Sequence, residues 1–384
     1  MSIPRQGRTV PTESLSSDRR LPALDGLRGV AILLVFGYHL ALFGGWAPGT
    51  AVDRALAGLL LHGWIGVDLF FVLSGFLITG ILLDTRGRPG WLKRFYLRRI
   101  LRIVPPYYAA LAAQLVVLAA LGQLDRARLG WTASWLTNHF VAREGWDALA
   151  TSMHHYWSLA VEEQYYLLWP ALAALLPRGA LRWTAALLLL GAGVARVILA
   201  QRGMEVGAYV LLPARMDGLA VGALLAIAVR GPGGLAATAR GMRIPAAVSI
   251  LILAAILMVR GELRYGDPFM LSFGLNALMV VSGGVMLLCL AQGTRHWPTR
   301  WLESRPLTQL GKYSYALYLW HQPVILALSG LGLTATALPP VLGSRLPGML
   351  LLALVAGAVT LGLALLSWRL VEGPALRLKD RVAG

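Results

Sequence analysis

The sequence predicts an all-α, polytopic integral membrane protein, and three observations carry that prediction. Of 384 residues, 57% are hydrophobic and only 14% charged, whereas soluble domains run near a quarter charged. Mean hydropathy is +0.64. Ten apolar segments of roughly bilayer-spanning length follow one another along the chain, and about 20 apolar residues are what a helix needs to cross the hydrocarbon core. The single cysteine, Cys289, sits in an apolar run, which rules out a disulfide framework or a cysteine metal site. No zinc, Walker or GxSxG pattern is present, and no metal site is expected.

Residues 1–23 are polar and basic, with Pro4, Pro11 and Pro22, and read as a flexible cytoplasmic tail. The first span, LDGLRGVAILLVFGYHLALFG (24–44), holds Arg28 and His39 eleven residues apart. At 100° per residue they share one helix face, about 16 Å apart along the axis. Ionisable residues inside a membrane helix normally face protein or a watery cavity. One reading is an arginine holding an anion at the mouth of a site whose floor carries a reactive histidine. The other is a snorkelling Arg28 beside Asp25, with His39 bonded to a neighbouring helix. The length of the run and Arg28 within it argue against a cleaved signal peptide.

Further spans are expected at about 61–83, 103–122, 157–176, 183–200, 213–229, 244–259, 272–291, 309–330 and 347–370, with ends uncertain by a few residues. The second carries Asp68, Ser74 and the small pair Gly75 and Thr79. Asp68 either lines an external cavity mouth or caps and packs the helix. WLKRFYLRRILRIVPPYY follows, in which Arg98 and Arg102 share a face with Arg99 beside them. Such a cluster serves as a lipid-surface helix or as a phosphate clamp, since arginine forks match phosphate oxygens. Pro105 and Pro106 are expected to break or kink the helix.

Residues 123–156 form the longest external connection, where Trp131, Trp135, Trp146 and Tyr156 suggest a headgroup-level aromatic belt. The next span sets Ser158, Glu162 and Tyr165 or Tyr166 in a polar stripe. Glu162 there orients a catalytic histidine, holds a sugar hydroxyl, or pairs with an internal arginine. Arg215 and Asp217 open the sixth span as acceptor contacts or a surface ion pair. Ser314, Tyr318 and His321 make a second stripe at i, i+4 and i+7, either a packing seam or a cavity wall opposite the first helix. The expected organisation is a tail (1–23), one transmembrane unit (24–370) and a short cytoplasmic tail (371–384).

The net charge is +17, and the basic residues cluster between apolar segments. That pattern fits topology and anionic lipid or phosphorylated substrate, and nucleic acid is not an expected partner. With ten spans, 25 of the 35 Lys and Arg fall on the N-terminal side, which places both termini in the cytoplasm.

Arg-x10-His in a first transmembrane helix resembles the hallmark of the membrane-bound acyltransferase 3 family. The resemblance continues, in the family's order and over nearly the whole chain, through GVDLFFVLSGFLI (Gly66–Ile78), RRILRIVPPYY (Arg98–Tyr108), WSLAVEEQYYLLWP (Trp157–Pro170), RMDGLAVGALLA (Arg215–Ala226) and YSYALYLWHQPV (Tyr313–Val324). Arg98-Arg99-x-x-Arg102 resembles the family's RRxxR motif. The resemblance implies an O-acyltransferase in a bacterial cytoplasmic membrane. It would move an acyl group, acetyl first among candidates, from cytoplasmic acyl-coenzyme A to a hydroxyl of a carbohydrate or related acceptor. His39 would be the general base, with Arg28 and Glu162 also catalytic. Arg28, Arg98, Arg99 and Arg102 would hold the donor's phosphates. Asp68, Ser74, Tyr166, Arg215, Asp217, Ser314, Tyr318 and His321 would line the substrate cavity. Acyl-coenzyme A is then a cosubstrate, with no permanently bound cofactor, and membrane lipid is the surrounding partner. Some family members append an SGNH-type domain; a chain without one is expected to act alone or with a partner. The competing reading is a transporter or flippase for a lipid-linked sugar or acyl donor, because buried Arg, His and Glu also mark transport pathways.

Overall fold

A computed structural model describes residues 21–123, 125–292 and 296–382; of the tail predicted over 1–23, residues 1–20 lie outside the described residues, and Pro22 and Ala23 already belong to the first helix. Among the described residues the regular structure is helical, with a lone bridge between Val341 and Ser344. The chain runs through α1 (Pro22–Phe43), α2 (Ala51–Leu61), α3 (Ile65–Thr85), α4 (Trp91–Ala120), α5 (Arg126–Ala133) and α6 (Thr137–Glu144). It continues through α7 (Tyr156–Leu175), α8 (Arg178–Gln201), α9 (Glu205–Val210), α10 (Leu212–Val229), α11 (Gly234–Gly241) and α12 (Arg243–Arg260). The last group is α13 (Leu275–Gln292), α14 (Trp297–Leu302), α15 (Arg305–Lys312), α16 (Ser314–Gly330), α17 (Leu346–Ser367) and α18 (Gly373–Val382).

All ten predicted spans are helical. Among the described residues, eight helical stretches are long and apolar enough to cross a membrane. The other two are α7, which carries Glu162 and Glu163, and α16, which has 17 residues. These two helices are the ones that bear the polar stripes. In a bilayer only helices satisfy every backbone polar group within one segment, so the all-helical architecture follows from the hydropathy pattern.

Close packing depends on small residues, because apolar side chains gain little by leaving lipid for protein. Gly75 of α3 faces the backbone of Leu219 on α10, and Gly222 of α10 faces Val72 and Gly75; a Cβ at either would collide with the opposite main chain. The start of α1 is gripped in the same way, with Gly29 against Leu307 and Gly311 against Asp25. Farther along, α1 packs between α3 and α16, which sets its Arg28–His39 face against the two polar stripes. By contrast α12 buries only Ser249 and Ile256, and its Leu251, Met258 and Val259 point outward as a lipid-facing helix should.

Several expectations are corrected here. Pro105 and Pro106 do not break α4, which continues unbroken to Ala120; a membrane helix tolerates proline where neighbouring groups brace it. The Tyr315 hydroxyl donates to the Ile103 carbonyl at this point. The span expected at 309–330 is two helices, interrupted at Tyr313. Within the predicted C-terminal tail, α18 is helical and packs on α4. The connection at 123–156 is folded against the helices beside it, with Trp131, Trp135 and Trp146 half-buried. Tyr156 is fully buried, Trp135 stacks on Tyr107 at 3.5 Å, and Gln164 of α7 exchanges side-chain bonds with Asn138 at 2.9 and 3.1 Å. Pinned this way, the segment places His154 and His155 above the end of α1.

Candidate active site

The Arg28–His39 face of α1 opens onto two chambers. The first, about 50 Å³, is lined by Arg28, Ser74, Ser158, Glu162, Ser314 and Tyr318 among others. Four helices (α1, α3, α7 and α16) each contribute at least one of these polar side chains, all of which the sequence had singled out. Ser74 hydrogen-bonds the Tyr166 hydroxyl, and Arg28, Ser74 and Arg99 are the electrostatic neighbours of Glu162.

The second chamber, about 240 Å³, carries His39 together with Tyr38, Trp64, Trp146, Trp157, Tyr209, Tyr265, His154 and His155. Val67 and Tyr318 border both chambers. The Tyr318 hydroxyl is held there by a 2.7 Å bond to Ser158 Oγ. The two chambers are therefore neighbours along α1 that share Val67 and Tyr318 as walls. His39 is 9% exposed, and its Nδ1 lies 2.9 Å from His321 Nε2. The stripe on α16 thus serves both readings: Ser314 and Tyr318 line the chambers, and His321 bonds α1 through His39.

The basic cluster divides. Arg99 turns inward, its guanidinium 5.4 Å from the Tyr166 ring centre and 5.7 Å from that of Phe95. Arg28, Glu162 and Glu163 are its electrostatic neighbours. Arg102 is exposed and within electrostatic range of Arg28 and Arg99. Arg98 is also exposed. Of the four arginines expected to hold the donor, only Arg28 lines a chamber; Arg98, Arg99 and Arg102 line neither.

Five expected cavity residues line neither chamber: Tyr166 and His321 stand one bond behind, on Ser74 and His39, and Asp68, Arg215 and Asp217 are elsewhere. Asp68, Arg215 and Asp217 have no solvent exposure, and Arg215 and Asp217 do not form a surface pair. Arg215 pairs with Asp68 and sits over the rings of Tyr209, Phe71 and Trp157 at 4.9, 5.3 and 5.8 Å. Asp217 pairs at 2.8 Å with Arg196, which also donates to the Leu271 and Ala214 carbonyls and to Asn276. This network locks α3, α8, α10 and α13 together. Of the three readings of Glu162, the one that sets it on a histidine does not hold: it lies in the Arg28 chamber near Arg28 and Arg99, and the group on His39 is His321.

Sequence reasoning missed Arg196, Asn276, Tyr38, Trp64, Tyr209 and Tyr265. Tyr38 precedes His39 and was within reach of inspection; the rest come from apolar helices and a turn whose placement is not local information. A larger cavity, about 760 Å³, lies between α4, α16, α17 and the 123–153 segment. It contains none of the predicted site residues, so its size does not mark the chemistry.

Fold and site together define a polytopic helical membrane protein whose polar groups converge on two adjoining intramembrane chambers. Residues 21–369 match the acyltransferase domain of the Acyl_transf_3 family, and the chain belongs to that membrane acyltransferase family. It is 29% identical over 386 residues to the peptidoglycan O-acetyltransferase OatA of Listeria monocytogenes, covering 93% of this chain and 56% of that protein. It is 31% identical to the putative peptidoglycan O-acetyltransferase YrhL of Bacillus subtilis, covering 80% of this chain and 49% of that one. The O-acetyltransferase OatA of Staphylococcus aureus shares 28% identity over 82% of this chain and 52% of its own length. The chain thus spans about half the length of these relatives. No solved structure matches it.

Proposed function

We propose that the protein transfers an acetyl group from acetyl-coenzyme A to a hydroxyl of a cell-surface carbohydrate. The observation that carries this reading is the pair of chambers joined at Val67 and Tyr318, one holding Arg28 and the other His39. Arg28, Arg99 and Arg102 suit the phosphates of the donor. Its extended pantetheine arm would bring the thioester past Tyr318 to His39. There the acceptor oxygen attacks the thioester carbonyl carbon, a C–O bond forms and the C–S bond breaks. His39 takes the hydroxyl proton and returns it to the departing sulfur, leaving a free thiol. The aromatic walls of the second chamber favour a sugar, whose ring has apolar faces that lie against Trp and Tyr and hydroxyls that reach His39. The names of the relatives point to the same acceptor class.

His39→Ala, correctly inserted in the membrane, is expected to lose about 10²–10⁴-fold in turnover, the usual contribution of a general base. Thiol release from acetyl-coenzyme A by the purified protein measures it. Near-wild-type turnover removes His39 from the mechanism, and no thioester consumption by the wild type at all would leave the transport reading in place. The donor side requires that the N-terminal side of α1 face the cytoplasm. Reporter fusions within 86–97 should then read cytoplasmic and those within 140–150 external. A cytoplasmic signal from 140–150 would reverse the assignment of the two chambers.

A further inference from the structure

The hydrogen bonds around His39 assign protons to particular nitrogens. His321 Nδ1 is 2.7 Å from the Tyr318 carbonyl oxygen. A carbonyl only accepts, so that nitrogen carries the proton. In a neutral imidazole the second nitrogen is then a lone pair, and His321 Nε2, 2.9 Å from His39 Nδ1, must accept. It follows that Nδ1 is the protonated nitrogen of His39 and that Nε2 is its lone pair. Both rings are buried, His321 at 1% exposure, which favours the neutral pair over an imidazolium. The Val35 carbonyl, one turn back on α1, is another acceptor beside the His39 ring. Among the described residues no hydrogen bond reaches His39 Nε2, and the ring borders the aromatic chamber.

We infer that His321 is a positioning residue for the transfer reaction: the chain Tyr318 carbonyl–His321–His39 holds His39 in the one tautomer whose Nε2 can accept a proton from the hydroxyl in the chamber. This inference rests on the acyl-transfer reading above. Once His39 has taken the proton, its Nδ1–H still points at the His321 lone pair, so the cation formed during attack keeps a partner. A carboxylate would do this with a full charge; here a neutral imidazole anchored to a main-chain carbonyl does it inside the membrane, where a further ionised group is costly. The same helix supplies the anchor, the positioning ring and the Tyr318 hydroxyl at the junction of the chambers, so docking α16 on α1 assembles the arrangement at once. The other titratable groups at this chamber are Tyr38, His154, His155, Tyr209, Tyr265 and Tyr318.

The test uses the full chain in lipid nanodiscs, with acetyl-coenzyme A and an N-acetylmuramic-acid disaccharide as probes. His321→Leu removes the acceptor for Nδ1–H and should lower kcat by about 10²-fold or more while both KM values stay within a few-fold. His321→Gln or His321→Asn restores an amide oxygen that accepts the same bond and should return kcat to within about tenfold of wild type. His321→Lys presents a donor, drives the proton of His39 to Nε2, and should be as inactive as His39→Ala. Wild-type kcat in His321→Leu overturns the inference. So does an amide variant as slow as His321→Leu with an unchanged unfolding midpoint, which would make His321 a packing residue. If His39→Ala is inactive while His321→Leu is fast, only the positioning role falls; if His39→Ala is itself fast, the acyl-transfer mechanism falls.

Discussion

Two groups of intramembrane arginines differ in what they face. Arg196 and Arg215, between α3, α8, α10 and α13, are wholly buried and each has a carboxylate partner, Asp217 and Asp68. Arg28, Arg99 and Arg102, between α1, α4, α7 and α16, form no ion pair among the described residues, and their neighbours include one another. A wholly buried arginine whose charge is matched by a carboxylate is closed off from a ligand in solution, and breaking the pair damages the fold. Carboxylates lie near this second set, Glu162 and Glu163 by Arg99 and Glu372 by Arg102, but none is locked to an arginine in an ion pair among the described residues. One half of the molecule uses arginine as a clamp between helices, and the other keeps it available.

Breaking the clamp should have the largest effect. Asp217→Leu leaves Arg196 buried without its counter-charge, which typically costs about 3–5 kcal/mol. The unfolding midpoint in detergent should fall sharply, and activity should be lost through lost protein rather than altered constants. An unchanged midpoint would mean that the network is incidental. Next comes the available set. Arg102→Ala should leave the midpoint near wild type and raise KM for acetyl-coenzyme A by about one to two decades, the effect of losing roughly 1.5–3 kcal/mol of charge-assisted hydrogen bonding. Arg102→Lys should recover part of that loss, because an ammonium keeps the charge without the fork. Full recovery by lysine, or an unchanged donor constant in Arg102→Ala, would assign the cluster to anionic lipid. Arg98→Ala, at an exposed position outside both chambers, should change little. The smallest shift is expected in the aromatic chamber, where Trp146 lies 5.3 Å from the His154 ring. Trp146→Ala should raise the acceptor KM by up to about tenfold, in line with roughly 0.5–1.5 kcal/mol for an aromatic contact, and leave the donor constant alone.

The contrast was only half legible in the sequence. Arg28 was named because a charge in an apolar run is conspicuous and Arg99 because it lies in a dense basic cluster, and the helical repeat put Arg28 and His39 on one face. The same conspicuousness misled for Asp68, Arg215 and Asp217, which look identical to site residues until their partners are known. Arg196 drew no attention, although it is the hub of the buried network. For the phosphate cluster the local rule also failed: Arg98 and Arg102 share a face, yet Arg99 is the one turned toward Tyr166, because the packing of α7 against its neighbours decides which side of α4 is inside.

What the sequence determined by itself was everything that depends on short range. Hydropathy over about 20 residues set the membrane class and the helices, and a rise of 1.5 Å with 100° per residue set which side chains share a face. Only the tertiary structure decided who meets whom. Asp68 reaches Arg215 across 147 residues of chain and His39 reaches His321 across 282. Those meetings depend on which backbones can approach closely, at Gly75 and Gly222 for one and around Gly29 and Gly311 for the other. Whether an arginine ends as a clamp or as a binding group is therefore settled by helix docking, since its charge is the same in both places and only the neighbouring carboxylate differs.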